Sequence, residues 1–97
     1  MILSFRDSGT KDIFNRINSA EARRVCPKDL WPVARRKLDQ VNAAVSLVSL
    51  RMPPGNRLEA LKAERYGQYS IRINDQYRLC FEWTSEGPGQ VEIAEYH

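Results

Sequence analysis

Apolar and polar residues alternate along two neighbouring stretches of the chain that are separated by the sequence "NDQ". A period of two residues predicts β-strands with one buried face, here at about residues 68–73 and 77–84. A third strand of the same kind is predicted at about residues 90–96, after the turn sequence "SEGPG". The apolar side chains expected on the buried face are Ile71, Ile73, Leu79, Phe81, Val91 and Ile93.

The register of the first two strands follows from matching their apolar faces. Side chains directly opposite each other in an antiparallel pair point to the same face. Ile73 is therefore expected opposite Tyr77, which leaves residues 74–76 as the loop and sets Arg72 opposite Arg78 on the other face. Two like charges directly across a ladder are unfavourable. This arginine pair therefore calls for a compensating anion.

Two sources of negative charge fit the open face of the predicted sheet. Glu82 and Glu92 share the parity of the arginines and could pair with them, and taken alone the arginine pair favours this explanation. The alternative is a bound phosphate, which accepts bidentate hydrogen bonds from guanidinium groups. Tyr96 falls on the same face by alternation along the third strand.

The first half of the chain predicts one short strand and two short helical segments. "MILSFR" has the composition of a strand and is closed by "DSG". Ser8 is expected to cap a helix that ends near Ile17, and Ser19 a shorter turn over "AEARRV". The residues expected on the inner stripe of the first helix are Ile13, Phe14 and Ile17.

A longer helix is predicted next, because apolar residues recur at spacings of four and three. It would begin near Pro27 or Pro32 and run to about Val48, before the helix-breaking sequence "RMPPGNR". The apolar stripe consists of Ala34, Leu38, Val41, Val45 and Val48.

Together these elements predict an α+β fold in one domain, residues 1–97. An N-terminal strand and two helices would pack on one face of a small antiparallel sheet and leave the other face open and basic. No apolar run approaches the ~20 residues that cross a bilayer. "MILSFRD" becomes charged too early for a signal peptide, so we expect a cytoplasmic protein with no membrane association.

Charge and cysteine content narrow the choice of partners. All 15 basic residues lie within residues 1–81, against 8 acidic ones, and 11 of the 15 are arginines. Arginine suits phosphate recognition, so nucleic acid is the leading candidate partner. Cys26 and Cys80 lack metal-binding spacing and are expected to be a buried and a half-buried thiol. With His97 as the one histidine, no metal site is predicted.

The chain ends in "IAEYH", which brings a carboxylate, a phenol and an imidazole together behind a predicted strand. The imidazole of His97 can give or take a proton near neutral pH. Together with an arginine that stabilises an anionic transition state, this combination suits cleavage of a phosphodiester without a metal ion. Three further charged residues precede the first strand of the meander: Glu59, Lys62 and Arg65.

The stretch "PPGNRLEALKAERYGQYSIRINDQYRLCFEW", followed by the terminal "VEIAEYH", resembles the HigB group of toxins in the RelE/ParE superfamily. The resemblance covers essentially the whole chain and is most specific over "SIRINDQYRLCF". It implies a RelE-like fold with a concave basic face, and a ribosome-dependent mRNA endoribonuclease that cuts in the ribosomal A site without a cofactor. It also implies a cognate HigA-like antitoxin with a helix-turn-helix DNA-binding domain, through which alone the toxin would contact operator DNA.

The resemblance further implies roles for individual residues. Arg78 matches the arginine that steadies the scissile phosphate, and Lys62 matches a basic residue near the catalytic centre. The family's acidic–Tyr–His ending, which carries catalytic groups, corresponds to Glu95, Tyr96 and His97. The expected reaction is attack of a ribose 2′-OH on its own 3′ phosphate, with Glu95 or Glu59 as base and His97 as acid. Contacts to RNA backbone are expected from Arg57, Arg65 and Arg72.

Two positions depart from the family pattern, and three other functions stay open. Some relatives have histidine where this chain has Glu59, and many have glycine where it has Ala63. The alternatives are a ParE-like toxin that binds DNA gyrase, an RNA-binding module without catalysis, and a degenerate toxin that acts only through its antitoxin or operator. The terminal "EYH" together with Arg78 favours the nuclease, since a purely binding protein needs no titratable trio.

Overall fold

The computed structural model describes residues 1–96 and packs three helices on one face of a four-stranded antiparallel sheet. The helices are α1 (Ser8–Phe14), α2 (Ala20–Val25) and α3 (Trp31–Ala43). The strands are β1 (Glu59–Ala60), β2 (Gln68–Arg72), β3 (Tyr77–Thr84) and β4 (Gly87–Glu95), which are neighbours in that order. The predicted α+β class is confirmed. No helix within residues 1–96 has the length and apolar character needed to cross a bilayer.

The predicted pairing of the two central strands is confirmed. Ile71 lies opposite Leu79, and Arg72 lies opposite Arg78. The turn between the strands is closed by Asn74, whose side-chain oxygen accepts hydrogen bonds from the main-chain N–H groups of Gln76 (2.9 Å) and Tyr77 (2.7 Å). Short polar side chains of this kind stabilise turns because they satisfy main-chain donors locally.

The core lies between the helices and the inner face of the sheet. Phe81 in β3 and Leu38 in α3 are both fully buried, and side chains of this size each contribute about 1.5–3 kcal/mol on burial. All six residues expected on the inner face of the sheet belong to this core: Ile71, Ile73, Leu79, Phe81, Val91 and Ile93.

The long helix is shorter than its apolar pattern predicts. It ends at Ala43, where the chain becomes extended, so Val45 (93% exposed) and Val48 (60% exposed) lie outside it and their predicted burial is wrong. Ser46 and Ser49 form a turn in which the Ser49 hydroxyl donates to the Ser46 carbonyl over 2.6 Å. Serine side chains compete in this way with helical hydrogen bonds.

The first helix also differs from its prediction at both ends. Asp7, rather than Ser8, is the capping residue, and its carboxylate accepts the Thr10 N–H at 2.6 Å. The helix ends at Phe14 because Arg16 adopts a left-handed conformation with φ 62°. Ile17 is consequently half exposed and does not join the inner stripe. The short helix α2 is capped by Ser19 as predicted.

The N-terminal segment is extended but does not form the full strand that its composition predicts. It lies parallel to β4 and makes a single bridge, between Phe5 and Val91. Leu3 donates to the Pro88 carbonyl (2.8 Å), and the Ile2 N–H is bound by the Asn42 side chain (2.9 Å). The segment therefore fastens the end of α3 to the edge of the sheet.

Candidate active site

The guanidinium group of Arg78 lies on the sheet face that points away from the helices and is held by two hydrogen bonds. Its Nε donates to the hydroxyl of Ser70, which is fully buried on the neighbouring strand, over 2.7 Å. Its Nη2 donates to the main-chain carbonyl of Arg57 over 2.8 Å. The Arg78 side chain is only 13% exposed. Because two fixed groups hold it, the guanidinium keeps one orientation without a ligand.

A carboxylate and an aromatic ring adjoin this guanidinium. Glu59, on the edge strand β1, places its Oε1 3.5 Å from Nη2 of Arg78. The ring of Tyr96 lies 6.0 Å from the Arg78 Cζ, at the outer limit of a cation–π contact. The two lie on the open face where a phosphodiester and a base could bind.

Tyr96 is fixed in position although it lies next to the end of the chain. Its N–H donates to the Gln76 carbonyl over 2.6 Å. Its ring packs on a small apolar cluster on the open face, made of Leu61, Cys80 and Ala94. Burial, together with the neighbouring Cys80 thiol, raises the pKa of the Tyr96 phenol. The phenol is therefore neutral near neutral pH and can act as a hydrogen-bond donor.

The two arginines that face each other across the ladder have separate partners. Arg72 pairs with Asp75 in the adjacent turn, whereas Arg78 is bound by Ser70 and Arg57 as described above. The prediction that Glu82 and Glu92 compensate the pair is wrong for Glu92, which binds elsewhere. Within residues 1–96, Glu82 makes no ion pair with either arginine. Asp75 in the turn pairs with Arg72 and Glu59 of β1 pairs with Arg78, so the repulsion across the ladder is relieved without Glu82 or Glu92.

Glu92 instead joins three segments around the open face. Its carboxylate pairs with Arg6 of the N-terminal segment (3.0 Å) and with Arg65 of the loop between β1 and β2 (2.9 Å). Arg65 also donates to the Gln68 side chain over 3.0 Å. The hydrogen bond to Glu92 raises the pKa of Arg65 despite its partial burial. Arg65 therefore braces this loop, and a contact with RNA stays a prediction.

Lys62 and Ala63 lie in the same loop, between β1 and β2. Lys62 is exposed and directly precedes a 3-10 turn over Ala63–Arg65. Ala63 has φ 55°, in the left-handed region that favours glycine. Alanine is therefore held at Ala63 in a conformation that glycine would adopt without strain.

We expect Ala63→Gly to raise the free energy of unfolding by up to about 1 kcal/mol, because glycine adopts this conformation without strain. Urea denaturation would measure the change. Ala60→Gly, in the extended edge strand, is the matched control and should lower stability by about 0.5–1 kcal/mol. Equal destabilisation by both substitutions would contradict strain at Ala63.

Of the remaining residues predicted for the site, Glu95 faces away from Arg78, Arg57 contacts it only through its main chain, and His97 lies outside the described residues. Glu95 pairs with Tyr77 in the β3–β4 register, so it lies on the side of the sheet that Tyr77 faces. Its carboxylate accepts a 2.5 Å hydrogen bond from the Gln76 side chain. Arg57 contributes its carbonyl to the site while its side chain is exposed. His97 falls outside the described residues, so its predicted role is untested.

Sequence reasoning missed Ser70 and wrongly expected one of the two cysteines to be half buried. Ser70 lies two residues before Arg72 and therefore on the same face, which was a signal that could have identified it. Both thiols are buried, and Cys80 is covered by Tyr96 and Leu61 on the open face. Burial also raises the pKa of the Cys26 thiol, to about 11. Within residues 1–96, no group of three His, Cys, Asp or Glu side chains could hold a metal ion.

Comparison with known proteins assigns a family to this fold and site. A family model described as the RelE-like toxin of the type II toxin-antitoxin system HigB matches residues 3–97. The chain belongs to the HigB-like toxins. It is 37% identical over 84 residues to Toxin HigB-1 of Vibrio cholerae serotype O1, a match that covers 87% of this chain and 85% of that protein.

The chain is also similar to one further sequence and to one solved structure. An uncharacterized protein of Haemophilus influenzae is 44% identical over 59 residues, which cover 61% of this chain and 58% of that protein. The YoeB-YefM complex from Staphylococcus aureus contains a chain with the same fold, at a TM-score of 0.62 and 18% identity, with 100% of this chain and 95% of that chain covered. This HigB-like toxin therefore has a RelE-like fold and is the toxin of a toxin–antitoxin module.

Proposed function

We propose that this HigB-like toxin is an endoribonuclease that cleaves mRNA in the ribosomal A site without a metal ion and thereby inhibits translation. The observation that carries the proposal is the Arg78 guanidinium, which Ser70 and the Arg57 carbonyl hold on the open face beside Tyr96. A donor that is already oriented stabilises developing negative charge without reorganising during the reaction. The membership in a family of RelE-like toxins agrees with this chemistry.

The proposed reaction is an internal transfer at phosphorus. The ribose 2′-OH loses its proton to a base and attacks the adjacent 3′ phosphate, forming a new P–O bond. The bond to the 5′ oxygen of the next nucleotide breaks, and an acid protonates that oxygen. The products are a 2′,3′-cyclic phosphate and a 5′-OH. Arg78, with Lys62 from the neighbouring loop, would neutralise the extra charge on the phosphoryl oxygens.

The geometry supports Glu59 rather than Glu95 as the base. The Glu59 carboxylate lies 3.5 Å from the Arg78 guanidinium, whereas Glu95 shares the face of Tyr77. A general base must be within hydrogen-bonding reach of the proton that it removes, which favours the carboxylate beside the phosphate. His97 would serve as the acid, and Tyr96 would stack on or orient a base.

We expect cleavage to depend on the ribosome because the toxin has few groups with which to align the RNA for attack. An in-line attack requires the 2′ oxygen, the phosphorus and the 5′ oxygen to be aligned, and much of the barrier can come from this orientation. Message held in the A site would arrive already ordered. Arg57, Arg65 and Arg72 would contact RNA backbone, so the affinity should fall steeply as salt rises.

We further propose that a cognate antitoxin of the HigA type neutralises the toxin in the cytoplasm. The structure of similar fold is that of a YoeB-YefM complex, which supports a protein antitoxin as partner. The antitoxin would carry a helix-turn-helix domain, and operator DNA would be contacted only through it.

The decisive test maps the 5′ ends produced from a defined mRNA by primer extension, with and without programmed ribosomes. We expect cuts within the A-site codon that appear only with programmed ribosomes. Their rate should be unchanged when the toxin has been treated with EDTA and freed of chelator before the assay. Ribosome-independent cuts would contradict the proposed substrate. If no cuts appear under either condition, inhibition of gyrase supercoiling by the same protein would establish the gyrase-binding alternative.

A further inference from the structure

A polar cluster lies between α3 and the turn that leads into β1. Lys37 of α3 is 9% exposed and Asn56 of the turn is fully buried. The Lys37 Nζ donates to the Asn56 Oδ1 over 2.5 Å. The Asn56 Nδ2 in turn lies within hydrogen-bonding distance of the carbonyls of Leu50 (3.1 Å) and Met52 (3.3 Å) and of the Gln40 side chain (3.0 Å). One amide therefore ties the turn to α3.

The residue that follows Asn56 carries the carbonyl that holds Arg78. Arg57 has φ 47° and ψ 54°, a left-handed conformation that is unfavourable for a residue with a Cβ atom. Its side chain is exposed, so packing of that side chain does not account for the conformation. The conformation directs the Arg57 carbonyl to Nη2 of Arg78, 2.8 Å away. Strain of this kind persists where the surrounding structure enforces it, and it is concentrated at functional sites.

A buried ammonium group is a poor choice for stability alone. Burial lowers the pKa of Lys37, and the nearby charges of Arg36 and Arg72 lower it further. An apolar side chain of similar length would fill this position without desolvating a charge, and such replacements are often neutral or stabilising when both partners are exchanged. The hydrogen bond to Asn56 therefore calls for an explanation other than stability.

We propose that Lys37 and Asn56 are positioning residues for Arg78. Their hydrogen bond holds the turn in the conformation that aims the Arg57 carbonyl at the guanidinium, and so keeps Arg78 oriented toward a phosphate. The proposal deepens the nuclease function and rests on it for its biological meaning, because Arg78 is the group that would bind the scissile phosphate.

The test compares Lys37→Met with wild type in two independent measurements. The first is NMR of the Arg78 guanidinium N–H groups in 15N-labelled protein, assigned by their absence from Arg78→Lys. We expect their hydrogen exchange with water to become at least about 10-fold faster in Lys37→Met. The second is single-turnover cleavage on programmed ribosomes, which we expect to slow by up to about 10²-fold at saturating toxin.

Two further variants separate positioning from charge and from general loss of stability. Arg36→Met removes the same charge from the preceding position of α3, where the side chain is exposed. It should leave both the Arg78 exchange rate and the cleavage rate unchanged. Asn56→Asp keeps the acceptor for Lys37 but removes the donors to the Leu50 and Met52 carbonyls. Asn56→Asp should therefore also speed the hydrogen exchange of the Arg78 guanidinium. It tests the proposal independently if Lys37→Met does not fold.

The double variant Lys37→Met/Arg78→Ala shows whether Lys37 acts through Arg78. It should cleave no more slowly than Arg78→Ala alone, since residues that act through one group are not additive. A folded Lys37→Met with unchanged Arg78 exchange would overturn the proposal. The NMR readout needs no RNA, so a wild-type toxin that cleaves nothing would refute the nuclease function while the exchange rates still decide the positioning role.

Discussion

Replacing Arg78 with alanine should lower the rate of mRNA cleavage by at least about 10²–10³-fold, the usual effect of removing one oriented donor from a charged transition state. The change removes a guanidinium that Ser70 and Arg57 already hold in place. The fold should survive, because Arg78 lies on the face opposite the main core. The buried Ser70 hydroxyl would lose its partner, at a cost of about 1–3 kcal/mol.

Single-turnover cleavage on programmed ribosomes would measure the loss, and thermal melting by circular dichroism would verify the fold. Arg24→Ala is the matched control, since it removes the same charge from an exposed position in α2 on the helical side. It should cleave close to the wild-type rate. Arg78→Lys should be strongly impaired, because an ammonium group cannot reproduce the planar fork. Normal cleavage by folded Arg78→Ala would contradict the proposed binding of the scissile phosphate by Arg78.

Replacing His97 with glutamine should lower cleavage by about 10²–10⁴-fold, the range that general acid–base catalysis contributes. Glutamine retains hydrogen-bonding capacity but cannot supply a proton to the departing 5′ oxygen. A histidine acid is active in its protonated form, so wild-type cleavage should slow as the pH is raised. His97→Gln should lack that limb of the pH–rate profile.

A modified substrate distinguishes an acid from a merely structural histidine. An mRNA with sulfur in place of the scissile 5′ oxygen has a leaving group that departs without protonation. His97→Gln should therefore recover most of the wild-type rate on this substrate, whereas Arg78→Ala should not. If His97→Gln stays slow on the sulfur-containing mRNA, His97 is not the general acid.

The candidate site combines an arginine that is held in one orientation with the side chains of Glu59 and Tyr96 beside it. The described residues provide an oriented guanidinium, a carboxylate 3.5 Å away and a packed aromatic ring. This arrangement explains how a small sheet can tolerate Arg72 opposite Arg78, since each arginine has its own local partner. A phosphate entering this face would therefore meet a donor that has already been oriented.

The family resemblance and the strand pattern gave the most accurate expectations. A one-residue slip would move every apolar side chain of a strand to the wrong face, so the pairing of β2 with β3 could be worked out from alternation alone. The side of the sheet on which Arg72 and Arg78 lie follows from the same rule. The family assignment rested on contiguous motifs and was confirmed.

The ends of the helices and the partners of the charged residues could not be worked out in this way. Apolar spacing continues through Val45 and Val48, yet the helix stops at Ala43, where a serine turn follows and the Asn42 side chain accepts the Ile2 N–H. The spacing of apolar residues indicates which side chains could lie on one face of a helix. It does not indicate where contacts with other segments end that helix.

Local pattern therefore determined three strands of the sheet, the register of β2 and β3 and the face that carries the arginines, because alternation along a strand dictates which side each residue occupies. Three-dimensional packing decided which groups meet on that face. The contact of Arg78 with the Arg57 carbonyl, 21 residues away, depends on a turn that is anchored through Lys37 on a different element. Long-range contacts of this kind are absent from any local pattern, since they arise only when distant segments pack together.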